Sequence, residues 1–133
     1  MVLDPLMAVV AGLGCRHGVA AEAVVALLDE AMARAGLRPA LLAIPDFKRC
    51  EPGLAEAARR LGLELRRVSH EALRAEQPRC VTRSGRVEAA VGVRSVAEAC
   101  ALAVAGPRGR LILPRIARAG VTCAFAAGDN DAA

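Results

Sequence analysis

Along the chain, short apolar runs alternate with longer segments in which apolar residues recur every three or four positions. Continuous apolar runs are typical of buried strands, and the longer periodicity is typical of amphipathic helices. The pattern predicts strands over residues 6–11, 40–44, 63–68, 87–91, 110–113 and 121–126, and helices over residues 20–35, 52–61, 69–76 and 95–105. Strands alternating with helices predict one α/β layered domain, a mixed sheet of about five strands with helices on both faces.

The ends of the helices carry their own signals. Gly36 and Gly62 follow the first two helices, where a left-handed residue commonly ends a helix. Ser69 is a candidate cap for the third helix, and Ser95 with Glu98 matches a capping box at the start of the last. Residues 77–86 are predicted to form a loop, and residues 114–120 a linker between the last two strands. We expect a domain over residues 1–127 and a flexible acidic tail over residues 128–133.

Composition narrows the function classes. The 133 residues are 55% hydrophobic but only 2% aromatic, with no Trp and no Tyr. Common readers of single-stranded nucleic acid stack bases on aromatic rings, so this class is disfavoured. The net charge of +4 suits an anionic ligand and is too weak by itself to indicate DNA binding. Lys48 is the one lysine among 18 basic residues, and the excess of Arg is typical of GC-rich codon usage.

The cysteines and the apolar segments bear on location. Five cysteines are spread through the chain without a paired spacing, which excludes a disulfide framework and a zinc ribbon. We therefore expect free thiols, no metal and no cofactor. The apolar run near the N-terminus lacks the basic region of a signal peptide, and no segment approaches the length of a membrane span. A cytoplasmic protein without membrane or nucleic-acid partners is expected.

The first candidate site is the glycine-rich segment from Gly12 to Gly18, between the first strand and the first helix. Gly12, Gly14 and Gly18 would let the backbone approach an anion at the helix N-terminus, and Arg16 and His17 would add donors. A tight turn that needs glycine only for its geometry is the alternative. The spacing differs from the dinucleotide fingerprint, which disfavours NAD.

The second candidate follows the second strand. Asp46, Lys48 and Glu51 would lie at the same edge of the sheet as the glycine segment if the two strands are parallel, and ligands of open α/β sheets bind at that edge. A solvated surface ion pair is the alternative. Because every other basic residue is Arg, the retention of Lys48 favours a functional role.

Two further features are weaker. Cys15 at a helix N-terminus could be a reactive thiol, whereas Cys15 with His17 is too small a set to bind a metal. Several arginines could bind a polycarboxylate if they converge on one face, although a solvated surface is the simpler interpretation. This set comprises Arg79, Arg83, Arg86, Arg94, Arg108, Arg110, Arg115 and Arg118.

In order and spacing, these motifs resemble the CobE family of cobalamin biosynthesis, which is similar to the C-terminal domain of CbiG, the cobalt-precorrin hydrolase. The matching stretches span nearly the whole chain: residues 12–18, residues 46–54 with Asp46, Lys48 and Glu51, residues 91–99 with Ser95 and Glu98, and residues 120–124 with Thr122. Pro45 and Arg115 depart from the family, which usually has a small hydroxyl residue and often a Lys at those places. The match covers only one domain of CbiG, so hydrolysis is not implied.

The resemblance implies binding of a precorrin or a hydrogenobyrinic-acid-like tetrapyrrole, with other cobalamin-pathway enzymes as possible partners. The glycine segment would hold one carboxylate, Lys48 would pair with another, and Asp46 would orient Lys48 or relay protons. Both a hydrolytic or rearrangement enzyme and a non-catalytic carrier stay open, and the lack of a complete catalytic constellation favours the carrier. A nucleotide- or phosphate-binding module is the alternative. The implied ligand-binding residues are Gly12, Gly14, Cys15, Arg16, His17, Gly18, Asp46, Lys48, Glu51, Ser95, Glu98, Arg115 and Thr122.

Overall fold

The computed structural model describes residues 7–48, 51–83 and 94–129. Its five strands are β1 (Met7–Cys15), β2 (Leu41–Pro45), β3 (Glu64–Val68), β4 (Arg110–Arg118) and β5 (Val121–Asp129). Its four α-helices within the described ranges are α1 (Ala21–Ala35), α2 (Pro52–Leu61), α3 (His70–Ala75) and α4 (Val96–Ala105). The predicted strand over residues 87–91 lies outside the described residues.

The strands form one mixed sheet in the order β3-β2-β1-β5-β4. β1, β2 and β3 run parallel, whereas β5 pairs antiparallel with both β1 and β4. Parallel strands need crossover connections, and α1 and α2 provide them. The prediction of a mixed five-stranded sheet is confirmed.

Helices cover both faces of the sheet, as predicted. α1 and α2 pack on one face over a core that includes Leu13, Leu28 and Phe125. α3 and α4 pack on the other face over a core that includes Leu73 and Leu102. Because helices cover β1 on both sides, most of its residues are apolar or glycine.

The predicted helix ends are also found. Gly36 and Gly62 adopt the left-handed conformation after α1 and α2, with φ of 69° and 67°. The Ser69 and Ser95 hydroxyls accept hydrogen bonds from Ala72 N–H and Glu98 N–H at the starts of α3 and α4. Local side-chain chemistry was therefore sufficient to locate these ends.

Two predicted connections were wrong. β1 continues through Gly12 and Gly14 to Cys15, because this stretch stays paired with β5 over its whole length. The predicted linker over residues 114–120 is mostly strand, because β4 runs to Arg118. Pro114 fits there because β4 is an edge strand with register irregularities between Leu111 and Ile116. Ala119 and Gly120 alone form the hairpin turn, both with positive φ.

Three smaller features complete the fold. The predicted loop after α3 begins with a 3₁₀-helix, Gln77–Arg79. β5 extends to Asp129, which takes it two residues into the segment expected as a tail. In the described ranges, no helix has the length and apolar character required to cross a bilayer.

Candidate functional site

The carboxyl ends of the three parallel strands, at Cys15, Pro45 and Val68, define one edge of the sheet, here called the carboxyl edge. The N-terminus of α4 reaches the same edge, since Val96 packs beside Gly14. Most of the predicted site residues therefore lie along this edge. They are divided between the α1 and α2 side of the sheet and the α4 side.

Gly12 and Gly14 are buried within β1 and do not form an anion-binding loop. A Cβ at Gly12 would stand 1.9 Å from the Ala97 carbonyl oxygen of α4, and a Cβ at Gly14 would stand 2.7 Å from Thr122 Oγ1. Glycine is needed at these positions so that α4 and the Thr122 side chain can approach the strand. Gly12 and Gly14 therefore do not form the open loop that was expected from the sequence.

Gly18 does present its N–H to a carboxylate, but that carboxylate is Glu51. Glu51, only 6% exposed, accepts Gly18 N–H at 2.9 Å through Oε2 and contacts His17 Nδ1 at 2.7 Å through Oε1. Glu51 is also the N-cap residue of α2. The sequence predicted Glu51 with Asp46 and Lys48, at the same sheet edge as His17 and Gly18. In the structure, the Glu51 carboxylate connects the loop before α1 to the start of α2.

Arg16, which follows β1, packs against the hairpin turn between β4 and β5. Its N–H donates to the Gly120 carbonyl at 2.9 Å, and its side chain passes over Gly120 while staying exposed. Cys15, just before it, is the half-buried last residue of β1. The main chain of Arg16 is therefore fixed, and its guanidinium faces solvent beside the carboxyl edge.

The segment after β2 places acidic, apolar and basic residues together. Asp46, Phe47 and Lys48 form a 3₁₀-turn at the carboxyl edge, with Asp46 exposed and Phe47 51% exposed. The side chain of Lys48 lies outside the described part of the structure, as do Arg49 and Cys50. Because β1 and β2 are parallel, with Gly12 opposite Ala43, Asp46 comes at the same edge of the sheet as the end of β1.

Glu98 is fully buried in the first turn of α4. Its Oε1 accepts Val81 N–H at 2.8 Å and Thr82 N–H at 2.9 Å. Its Oε2 accepts the Thr82 hydroxyl at 2.7 Å and Arg115 N–H at 2.9 Å. Four donors occupy this carboxylate, so Glu98 connects β4 and the segment after Cys80 to α4. The sequence located Glu98 but carried no signal for Thr82.

The buried thiols are held in their neutral form. Burial raises the pKa of Cys80 to about 11 and that of Cys123 to about 12, and it raises the pKa of Cys100 as well. The Glu98 carboxylate adds to the effect at Cys80. These three residues are free and buried, so they serve as small packing residues of the interior.

Among the arginines that the structure describes, Arg79 and Arg118 lie away from Arg94 and Arg115, and Arg86 falls outside the described residues. Arg79 donates to the carbonyls of Gly106 and Gly109 at the C-terminal end of α4, where a cation is favourable. Arg118 pairs with Glu30 of α1 at 3.0 Å. Arg94 directly precedes the N-cap of α4, and the main-chain N–H of Arg115 donates to Glu98 in the first turn of that helix.

Metal-ligating side chains do not cluster in the described ranges: no three of His, Cys, Asp and Glu come close enough to hold an ion. The arrangement instead offers exposed donors and apolar side chains along one edge. Such a surface can bind a ligand that is apolar in its centre and anionic at its rim.

The profile of one protein family, described as cobalamin synthesis G C-terminus, matches residues 9–126. The chain belongs to this family. CobE from Sinorhizobium sp is 37% identical over 120 residues, which cover 88% of this chain and 78% of that protein. The resemblance seen in the sequence motifs is confirmed.

Solved structures of the cobalamin pathway share the fold. The crystal structure of CobE, a protein from the cobalamin (vitamin B12) biosynthetic pathway, superposes with a TM-score of 0.86 at 33% identity, covering 96% of this chain and 94% of the other. The cobalamin biosynthesis protein chiG from Agrobacterium tumefaciens str. C58 gives a TM-score of 0.72 at 39% identity, covering 89% and 96%. Membership of the cobalamin synthesis G C-terminus family makes this chain a cobalamin biosynthesis protein.

Proposed function

We propose that the protein binds a precorrin-type tetrapyrrole, such as hydrogenobyrinic acid, along the carboxyl edge. The observation that carries this proposal is the position of Phe47 and Val81, the large apolar side chains that stay exposed among the described residues, at 51% and 65%. Phe47 follows β2, and Val81 is bound through its N–H to Glu98 in the first turn of α4. Both flank the same edge.

The apolar pair suits the macrocycle. Single exposed apolar residues are ordinary on protein surfaces, but two at one ligand-binding edge offer contact area to a flat, hydrophobic ring. The ring of a precorrin carries acetate and propionate groups at its rim, so a binding surface also needs cations around the apolar contacts.

Cations occur on both sides of that edge. The exposed guanidinium of Arg16 lies over the hairpin turn, and Arg115 lies near the N-terminus of α4. Lys48 follows Phe47 in sequence and is the one lysine of the chain. Guanidinium and ammonium groups bind carboxylates through charge-assisted hydrogen bonds, which supports a polycarboxylate as the ligand.

The same binding surface could serve a carrier or an enzyme, and the carrier is the form we propose. Glu51 and Glu98 accept several protein donors each, and the buried thiols are held neutral. A carrier returns the tetrapyrrole with an unchanged absorption spectrum. A hydrolytic or rearrangement enzyme returns a ligand with an altered spectrum or mass.

Visible absorption gives a direct test, because no amino-acid side chain absorbs visible light and all visible absorbance comes from the tetrapyrrole. The absence of Trp and Tyr also leaves the near-ultraviolet bands of the ligand almost unobscured. The protein is mixed with hydrogenobyrinic acid, passed over a desalting column and scanned. We expect the pigment to elute with the wild-type protein. Phe47→Ser, Arg16→Met and Lys48→Ala should each lower the bound fraction several-fold.

Arg38→Met serves as the matched control. Arg38 is an exposed cation just before β2, at the opposite edge of the sheet, so its loss removes one charge without touching the carboxyl edge. Circular dichroism checks that each variant is folded. Colourless wild-type fractions with hydrogenobyrinic acid and earlier precorrins would contradict the proposal, as would equal losses in Arg38→Met and Arg16→Met.

A further inference from the structure

Two buried guanidinium nitrogens at the start of α4 have no hydrogen-bond partner. They are Nε of Arg94 and Nε of Arg115. Arg94 directly precedes the N-cap Ser95, and the main chain of Arg115 donates to Glu98 Oε2. A buried donor without a partner is costly, and in native proteins such a group commonly has a role that requires it.

Glu98 does not accept a hydrogen bond from either of these two Nε–H groups. Its oxygens already accept N–H groups of Val81, Thr82 and Arg115 and the hydroxyl of Thr82. Arg94 and Glu98 both act electrostatically on Cys80: Glu98 raises the pKa of this thiol, and Arg94 lowers it. Both arginines therefore adjoin the first turn of α4, and neither Nε–H is bound by Glu98.

Resting on the proposed function, we propose that Arg94 and Arg115 form a subsite that binds one side-chain carboxylate of the tetrapyrrole. The carboxylate would accept the two Nε–H groups, which have no partner within the described protein. The subsite lies at the α4 side of the carboxyl edge, next to the exposed Val81, whereas Arg16 serves the opposite side.

Carboxylate is the ligand chemistry that the two donors favour. Two guanidinium groups offer planar, always-charged donors that match a carboxylate oxygen pair. Substitution by Lys keeps each charge but removes Nε–H, so it separates the hydrogen bond from the charge. This contrast is the basis of the test.

The subsite can be tested without a tetrapyrrole. In the ¹⁵N-labelled full chain, the Nε–H signals of Arg94 and Arg115 are assigned by their loss in Arg94→Lys and Arg115→Lys. Glutarate is then titrated, with Arg38 as the internal control. We expect both signals to shift saturably and at least three times further than that of Arg38. Equal shifts in all three signals would overturn the subsite.

Tetrapyrrole affinity provides the second measurement. Arg94→Lys and Arg115→Lys should each weaken hydrogenobyrinic acid binding about ten-fold, as expected for loss of a charge-assisted hydrogen bond, while Arg38→Lys leaves it unchanged. If both variants bind hydrogenobyrinic acid as tightly as the wild-type protein does, the subsite is overturned and the proposed function stands. A wild-type protein that fails to bind the tetrapyrrole would refute the proposed function, and the glutarate titration would still decide the subsite. Unchanged circular dichroism spectra exclude unfolding as the cause.

Discussion

Glycine stands at positions 12, 14 and 18 for different physical reasons. Gly12 leaves the space that the backbone of α4 occupies, and Gly14 leaves the space that the Thr122 side chain occupies. Gly18 has no neighbour at its Cβ position and adopts a φ of 77°. Only the last belongs to a turn. A glycine count along the sequence therefore overstated the loop, because close packing and turn geometry select the same residue type.

At the residue scale, the packing role of Gly12 predicts the effect of Gly12→Ala. The new Cβ would collide with the Ala97 carbonyl, so we expect a loss of about 3 kcal/mol in unfolding free energy. Gly36→Ala is the matched comparison, because Gly36 has a φ of 69° but no neighbour within 4 Å, and it should lose about 1 kcal/mol. Urea unfolding followed by circular dichroism measures both. A ligand-binding defect in Gly12→Ala at unchanged stability would contradict the packing role.

At the scale of elements, α4 and the β4–β5 hairpin carry the α4 side of the site. Ala97, Ala101 and Ala105 recur every fourth residue along α4, and they allow the helix to approach Gly12 and Gly128 of the sheet. This approach brings the first turn of α4 to the carboxyl edge. The long hairpin in turn carries Arg115 beside Glu98 and Gly120 beneath Arg16.

The hairpin turn predicts a stabilising substitution. Ala119 has a φ of 54°, a conformation that costs an L-residue with a Cβ about 1 kcal/mol and that Asn tolerates well, particularly before Gly. Ala119→Asn should therefore raise the unfolding free energy by about 0.5 kcal/mol. The exposed Ala117, in β4 itself, gives the control: Ala117→Asn should lower the stability because Asn is poorly suited to strands. A destabilised Ala119→Asn would be the contrary result.

At the scale of the whole molecule, buried thiols link stability to pH. Cys80 and Cys123 keep their protons to about pH 11 and 12 in the folded chain, while the unfolded thiols ionise near pH 9. Above pH 9 the unfolded state therefore binds fewer protons than the folded state, and stability falls as pH rises. Each such thiol contributes a slope of about 1.4 kcal/mol per pH unit within this window.

We therefore expect the urea midpoint to decrease between pH 9 and pH 10.5 and to decrease less in Cys100→Ala/Cys123→Ala. The chain suits this measurement because it has no Tyr and one Lys, so few other groups titrate there. Circular dichroism follows the unfolding. A midpoint independent of pH over this range would show that the buried thiols do not govern the alkaline limit of stability.

The sequence by itself determined the class of fold, most element positions and the family. Apolar periodicity located the α-helices and most strands. Burying one face of a helix or strand makes apolar residues recur at the period of that element, and this pattern does not depend on the other elements. Local chemistry located the caps at Ser69 and Ser95 and the helix ends at Gly36 and Gly62. The ordered motifs from residue 12 to residue 124 sufficed for the family resemblance.

Only the tertiary structure decided which residues of those motifs face solvent. Glu51 and Glu98 have the residue type of ligand contacts, but their oxygens accept donors from segments distant in sequence. Phe47 and Val81 carry no sequence signal for exposure, because an apolar residue in a short segment is equally compatible with a core. Hydrogen-bond partners and burial depend on contacts between elements, and a periodicity within one element does not contain them.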